Sequence, residues 1–114
     1  MDTMDRFAAL ADPTRRQIIE LLASRGELSA TEIANQFPCS PPAISQHLKV
    51  LREANLVVME KRAQQHIYRL NPPAMSEMDG WIQKMTEQWN DRFNALDRVL
   101  EREKKKLGKR SQSK

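Results

Sequence analysis

The 114-residue chain contains a single cysteine, Cys39, and only three glycines, which stand apart from one another. One cysteine excludes a disulfide framework within the chain, and isolated glycines exclude a glycine-rich phosphate-binding loop. No apolar run approaches the roughly 18 residues that indicate a transmembrane helix, and no basic-then-apolar leader is present. These absences predict a cytoplasmic protein that has no part in a membrane.

Groups that support catalysis or bind metals are also scarce. The two histidines, His47 and His66, have no nucleophile and orienting carboxylate at a spacing typical of a hydrolytic site. Zn²⁺ and similar metals need clusters of imidazole or thiolate ligands, and an isolated Asp79 or Glu87 supplies neither. The sequence therefore predicts a protein that is not an enzyme and has no metal or other cofactor. Without a partner, Cys39 is interpreted as a small turn or core residue rather than a redox sensor.

Positive charge is concentrated in two parts of the chain, whose formal net charge is +4. Residues 101–114 hold seven Lys or Arg and two Glu, and residues 40–70 hold five basic and two acidic side chains. Because counterion release by Lys and Arg supplies much of the affinity for DNA, the middle segment is interpreted as a phosphate-facing surface. Residues 106–114 are predicted to be a disordered basic tail that aids solubility, with non-specific DNA contact as the alternative.

Residues 29–51 have the pattern of two short helices joined by a tight turn. Ser29 followed by Glu32 is a capping box that opens the first helix. Ser40 offers an N-cap hydroxyl for the second helix, and Pro41 stands at the first helical position, where a missing N–H costs nothing. This arrangement predicts a helix-turn-helix motif.

The second helix of this motif has an apolar face made by Ile44, Leu48 and Leu51, so its other residues face mostly outward. Such a helix contacts base edges and phosphates when it enters the major groove. Gln46 and His47 are the strongest candidates for base contacts. The predicted DNA contacts of this segment are Ser40, Ala43, Ser45, Gln46, His47, Lys49 and Arg52.

Two other patterns surround this motif. Before it, a short helix over residues 4–11 is followed by a helix that Asp12 caps, Pro13 begins and Gly26 ends. After it, residues 56–59 and 66–70 are β-favouring runs separated by a polar stretch, which fits a hairpin. A hairpin that directly follows a helix-turn-helix in the chain is called a wing. Its tip is predicted to contact a phosphate or the minor groove, and the alternative is a simple solvated turn. The predicted wing contacts are Lys61, Arg62 and Gln64.

A long amphipathic helix is predicted over about residues 74–105, opened by Ser76 and Asp79 as a second capping box. At 1.5 Å per residue it would span roughly 45 Å, more than a small winged body needs. We therefore expect part of its apolar stripe to pack on a second copy, with packing inside the chain as the alternative. The predicted dimerisation residues, including two from the first helix, are Phe7, Leu10, Met78, Ile82, Met85, Trp89, Phe93 and Leu96.

The chain resembles the arsenic-repressor (ArsR) family of bacterial winged helix-turn-helix regulators over residues 4 to about 100. The resemblance rests on three stretches: ALADPTRRQIIELL at 9–22, SPPAISQHLKVLREANLV at 40–57 and IYRLNP at 67–72. It implies a mainly α fold with a small two-stranded β-wing, forming one winged helix-turn-helix domain over residues 1–105. It also implies a homodimer held by the terminal helices, in which each recognition helix lies on one half-site of a double-stranded DNA operator.

Members of this family usually repress transcription by covering a promoter, and many release DNA when a metal binds. Where those members have a cysteine box, an ELCVC-type run, this chain has Glu27-Leu28-Ser29-Ala30-Thr31. The other common metal site needs histidines on the last helix, and this chain has no histidine after His66. The chain is therefore similar to the subgroup without recognised metal sites. It also has Ala63 approximately where the family's wing tip commonly has glycine.

The sequence is compatible with two alternatives. A small-molecule-responsive repressor of the same fold would bind DNA in the same way and would also have an apolar pocket near the dimer helices. A protein-interaction module would use the stripe of the last helix to bind a different partner, and it would be a monomer that binds no duplex.

Overall fold

The computed structural model describes residues 3–112, and side chains over residues 3–107. The described chain divides into two compact units, and the boundary between them lies between Asp79 and Gly80, within the last helix. No helix in the described part is long and apolar enough to cross a membrane. In order, the elements are α1 (Thr3–Ala9), α2 (Pro13–Arg25), β1 (Leu28–Ser29), α3 (Ala30–Ala34), α4 (Pro41–Glu53), β2 (Val57–Arg62), β3 (Gln65–Leu70) and α5 (Pro72–Gln112).

Side-chain caps fix the starts of α2, α3 and α4 where the sequence predicts them. Asp12 Oδ1 accepts a hydrogen bond from the backbone N–H of Arg15 at 3.1 Å at the start of α2. At α3, the Oγ of Ser29 accepts from the N–H of Glu32 at 3.1 Å, and the Glu32 carboxylate accepts from the N–H of Ser29 at 3.0 Å. Each bond satisfies a backbone donor that the first turn of a helix leaves without a partner. The predicted capping box and N-caps are confirmed.

The core of the first unit forms where α2, α3, α4 and the sheet meet. Its members are apolar side chains at helical spacing together with the first residues of the wing, as expected for elements that each bury one face. The predicted inward face of α4 is confirmed, since Ile44, Leu48 and Leu51 are at most 2% exposed. The most deeply buried side chains are Ile18, Leu22, Ile33, Ile44, Leu48, Leu51, Leu56 and Val57.

The sheet has three antiparallel strands in the order β1-β3-β2, so the predicted two-stranded wing gains a short third strand. Leu28 of β1 pairs with Tyr68, and Ser29 pairs with Ile67. Strand β1 was not predicted, because two residues are too few to show the alternation that indicates a strand.

The wing strands are longer than predicted, and only Ala63 and Gln64 form the turn between them. Pairing runs without interruption from Val57 opposite Leu70 to Arg62 opposite Gln65. Residues 60–62 were expected in a polar loop, but backbone pairing between antiparallel strands continues regardless of side-chain polarity when the strands face solvent. Ala63 has a φ of 51°, the left-handed conformation for which glycine is the usual residue.

The last helix begins earlier than predicted. α5 starts at Pro72, and the carbonyl of Asn71 accepts from the N–H of Ala74 at 3.1 Å. A proline in the first turn costs no hydrogen bond, because N–H groups there have no partner within the helix. Ser76 therefore lies inside the helix, and the interpretation of Ser76 and Asp79 as a capping box is wrong. The helix also continues past its predicted end at about residue 105, so residues 106–112 of the predicted disordered tail are helical, and residues 113 and 114 of that tail lie outside the described part.

Candidate nucleic-acid interface

Helix α4 presents a polar face because its apolar residues hold the opposite face against the core. The Oγ of Ser40 caps its N-terminus, accepting from the N–H of Ala43 at 3.3 Å, and Pro41 begins it. The side chains of Ser45 and Gln46 are exposed, and those of Ala43 and His47 are half-buried. The structure thus leaves the predicted contacts of this segment on the part of α4 outside the core, with Ser40 exposed at its N-terminus and Lys49 and Arg52 exposed toward its C-terminus.

His47 lies beside a charged group of α2 that the sequence did not connect with it. The Nη1 atom of Arg15 is 3.4 Å from Nδ1 of His47. The Nε of Arg15 donates to the carbonyl of Ala9 at 2.5 Å. The hydrogen bond from the backbone N–H of Arg15 holds the pKa of Asp12 below its usual value. These contacts join the end of α1, the start of α2 and the middle of α4.

Arg15 and Arg16 in the first turn of α2 contact the backbone near the end of α1. The structure shows that both guanidinium groups donate to carbonyls near the end of α1, Arg16 to Leu10 at 2.9 Å and to Ala11 at 3.1 Å. Carbonyl groups at the end of a helix lack partners within it. Two arginines six and seven residues after the end of a short helix, in the first turn of the next one, were therefore the available signal for this arrangement.

The basic residues of the wing have different surroundings. Lys61 is exposed, and it has no ion pair among the described residues. Arg62 instead forms a two-pronged contact with Glu27, at 2.8 and 3.1 Å, and it also contacts Glu60 at 2.8 Å. These hydrogen bonds lower the pKa of Glu27 and raise the pKa of Arg62. The charge of Arg62 is thus compensated locally, whereas that of Lys61 faces solvent; Gln64 is exposed in the turn.

The stripe of α5 is exposed over most of its length in the second unit. Trp89 is 66% exposed, and Phe93 and Leu96 are each more than half exposed. Together with Arg92, these three residues line a shallow cavity of about 230 Å³. The other residues of the predicted stripe within this unit are Ile82, which is 48% exposed, and Met85, which is half-buried.

Three predicted dimerisation residues lie in the first unit. Met78 is 7% exposed and belongs to the core, so little of its surface remains for a partner. Phe7 and Leu10 of the α1 region pack partly against the same core.

Within the part of the chain whose side chains are described, no three His, Cys, Asp or Glu residues are grouped as metal ligands would be.

These elements, a helix-turn-helix followed directly by a β-hairpin, define a winged helix-turn-helix DNA-binding protein. A family model described as a helix-turn-helix domain matches residues 10–60. The chain is 37% identical to the transcriptional repressor SdpR of Bacillus subtilis (strain 168) over 76 residues, which cover 67% of this chain and 83% of that protein. It is 34% identical to an arsenical resistance operon repressor of Escherichia coli (strain K12) over 101 residues, covering 85% and 83%.

Among solved structures, the chain is similar to an ArsR-like transcriptional regulator from Rhodococcus sp. RHA1. The TM-score is 0.76 at 29% identity, covering 85% of this chain and 91% of that one. The protein belongs to the ArsR family of winged helix-turn-helix transcriptional regulators, and it is a DNA-binding protein rather than an enzyme. The family resemblance found in the sequence is confirmed.

Proposed function

We propose that this protein is a cytoplasmic homodimeric repressor that covers a promoter operator and does not respond to metals. The observation that carries the proposal is the outward polar face of α4, where Ser45, Gln46, Lys49 and Arg52 are exposed while the opposite face is anchored in the core. A helix of this kind enters the major groove and contacts base edges. Mapping bound DNA across the genome and transcribing the bound promoters in vitro tests repression: added protein should lower transcript yield.

A second copy of the chain is the partner that we propose for the exposed stripe of α5. Winged regulators of this type bind two half-sites whose centres are roughly 34 Å apart, one turn of B-form DNA, and a two-fold dimer presents two recognition helices to them. The residues proposed for the contact are those of the second unit, Ile82, Met85, Trp89, Phe93 and Leu96. Phe7 and Leu10 are proposed to contribute the part of their side-chain surface that the core of the first unit does not cover. A chain that sediments as a monomer and binds no duplex would favour a protein-interaction module instead.

Gln46 is proposed to contact a base edge, so Gln46→Ala should change sequence preference. A good contact to a base edge discriminates by about 1–3 kcal/mol, and replacing an exposed side chain leaves the fold intact. The measurement is binding to the operator and to a set of single-base variants. Gln17→Ala, which removes an equally exposed glutamine from α2, is the matched control. An unchanged rank order of the variants with Gln46→Ala would remove Gln46 from the base contacts.

In the wing, we propose that Lys61 contacts a phosphate and that Arg62 holds the hairpin in place through its contact with Glu27. Each phosphate that a basic side chain neutralises contributes about −0.9 to the slope of log affinity against log salt for B-DNA. Because both subunits of the proposed dimer carry the change, Lys61→Ala should therefore flatten this slope by about two and weaken binding to all sequences alike. Arg62→Ala should change the slope less, because local carboxylates already compensate its charge. Equal slopes for the two variants would contradict this division of roles.

Metals are proposed to leave DNA binding unchanged, because the run Glu27 to Thr31 has no thiol where family members carry a cysteine box. Zn²⁺ or arsenite should change the dissociation constant for the operator by less than about twofold, which is under 0.5 kcal/mol. Fluorescence anisotropy with and without each ion provides the measurement, with EDTA-treated protein as the reference. Release of the DNA by about tenfold or more, reversed by EDTA for zinc or by a dithiol for arsenite, would refute the proposal.

A further inference from the structure

We propose that Arg15 is a positioning residue for DNA recognition. It holds the imidazole of His47 in the tautomer that carries its proton on Nε2, so that His47 presents a hydrogen-bond donor to the DNA. This inference deepens the proposed function and rests on it, since it takes His47 to be a base contact.

Two hydrogen bonds of Arg15, one at its backbone and one at Nε, fix the position of its guanidinium group. Its backbone N–H donates to Asp12 Oδ1 at 3.1 Å, and its Nε donates to the carbonyl of Ala9 at 2.5 Å. Because the guanidinium is planar, the bond at Nε sets the direction of the other two nitrogens. Nη1 is then 3.4 Å from Nδ1 of His47, whose ring is half-buried.

The chemistry of the two groups decides the tautomer. A guanidinium has five N–H donors, has no acceptor and stays protonated, whereas a neutral imidazole has one donor nitrogen and one acceptor nitrogen. Nδ1 must therefore be the acceptor, which places the proton on Nε2. At 3.4 Å the attraction is modest, but the other tautomer would point an N–H of His47 at an N–H of Arg15. In the neutral ring held in this way, Nε2–H is the donor that remains for the DNA.

A fixed donor has a defined set of partners in the major groove. Guanine offers N7 and O6 as acceptors, adenine offers N7 and thymine offers O4, whereas the exposed amino group of cytosine is itself a donor. His47 held in this tautomer is therefore expected to favour a base that offers an acceptor at its position. Without Arg15 the ring samples both tautomers, and the discrimination at that base falls.

Long-range ¹H–¹⁵N NMR of the DNA-unbound protein tests the tautomer directly, above the pH range in which histidine usually titrates. The unmodified protein should show His47 protonated on Nε2 and unprotonated on Nδ1, and Arg15→Met should show a mixture. Arg16→Met is the matched control, because Arg16 also donates to carbonyls near the end of α1; its His47 signals should match those of the unmodified protein. A proton on Nδ1 in the unmodified protein, a measurement that needs no variant, would overturn the inference, as would unchanged signals in Arg15→Met.

Binding to operator variants tests the consequence for recognition. His47→Ala and Arg15→Met should each reduce discrimination at the same base pair, on the order of tenfold, and the double variant should lose no more than either. A slope against salt that falls by about two in the Arg15→Met dimer, one phosphate for each subunit, would show that Arg15 neutralises a phosphate instead, and would overturn the positioning role. If the NMR result is as expected but His47→Ala keeps the full base preference, the proposed base contact of His47 is what fails, and the donor has no role in recognition.

Discussion

Trp89→Glu is expected to make the protein monomeric at concentrations where the unmodified chain is a dimer. Trp89 is 66% exposed within its own unit, so its role in our proposal is to be covered by a second copy. Truncation of a buried aromatic side chain costs about 3–5 kcal/mol, and here a charge is also placed in the contact. Because both copies carry the change, we expect a loss of roughly 6 kcal/mol, on the order of 10⁴ in the dimerisation constant.

Sedimentation equilibrium over a range of concentrations measures this effect, and operator binding should weaken in parallel because a monomer contacts one half-site. Asn94→Glu is the matched control, since it adds the same charge to an exposed position five residues along, about 140° around the helix. It should dimerise like the unmodified chain. If Trp89→Glu dimerises as tightly as Asn94→Glu, the stripe of α5 is not the contact between copies.

Leu51→Ala is expected to destabilise the first unit by about 2–5 kcal/mol, because it removes a fully buried side chain from the inward face of the recognition helix. In a domain of this size that corresponds to a fall in Tm of roughly 4–8 °C for each kcal/mol. DNA binding should be lost together with folding, since the same helix supplies the core and the contacts.

Urea denaturation at a fixed protein concentration provides the measurement, because dimerisation makes stability depend on concentration. Gln46→Ala serves as the control on the same helix: its side chain is exposed, and the change in unfolding free energy should stay within about 0.5 kcal/mol. A loss below about 1 kcal/mol for Leu51→Ala would mean that the inward face of α4 contributes little to the core.

Features that depend on neighbouring residues were predictable from the sequence. The caps of Asp12, Ser29 and Ser40 each join residues three positions apart, and the inward face of α4 follows from helical spacing alone. The start of α5 was misplaced even though its signal is local, because Pro72 and Pro73 are compatible both with a linker before a helix and with the first turn of one.

Features that join distant parts of the chain were not predictable. Strand β1 exists because β3 supplies its hydrogen bonds, and no property of Leu28 and Ser29 by themselves favours a strand. Arg62 and Glu27 are 35 residues apart, and basic residues at a wing tip have the same sequence pattern whether they face DNA or a carboxylate of the same chain.

The sequence alone was enough to establish the family, the order of the helices and the wing, and the face of α4 that points inward, because spacing, caps and turns act between residues a few positions apart. Only the tertiary structure decided that Met78 lies in the core, and which polar groups have partners within the chain: Arg15 beside His47 and Arg62 on Glu27. Such pairs form where the packing of apolar faces brings separate elements within hydrogen-bond distance, and that packing is a property of the whole unit.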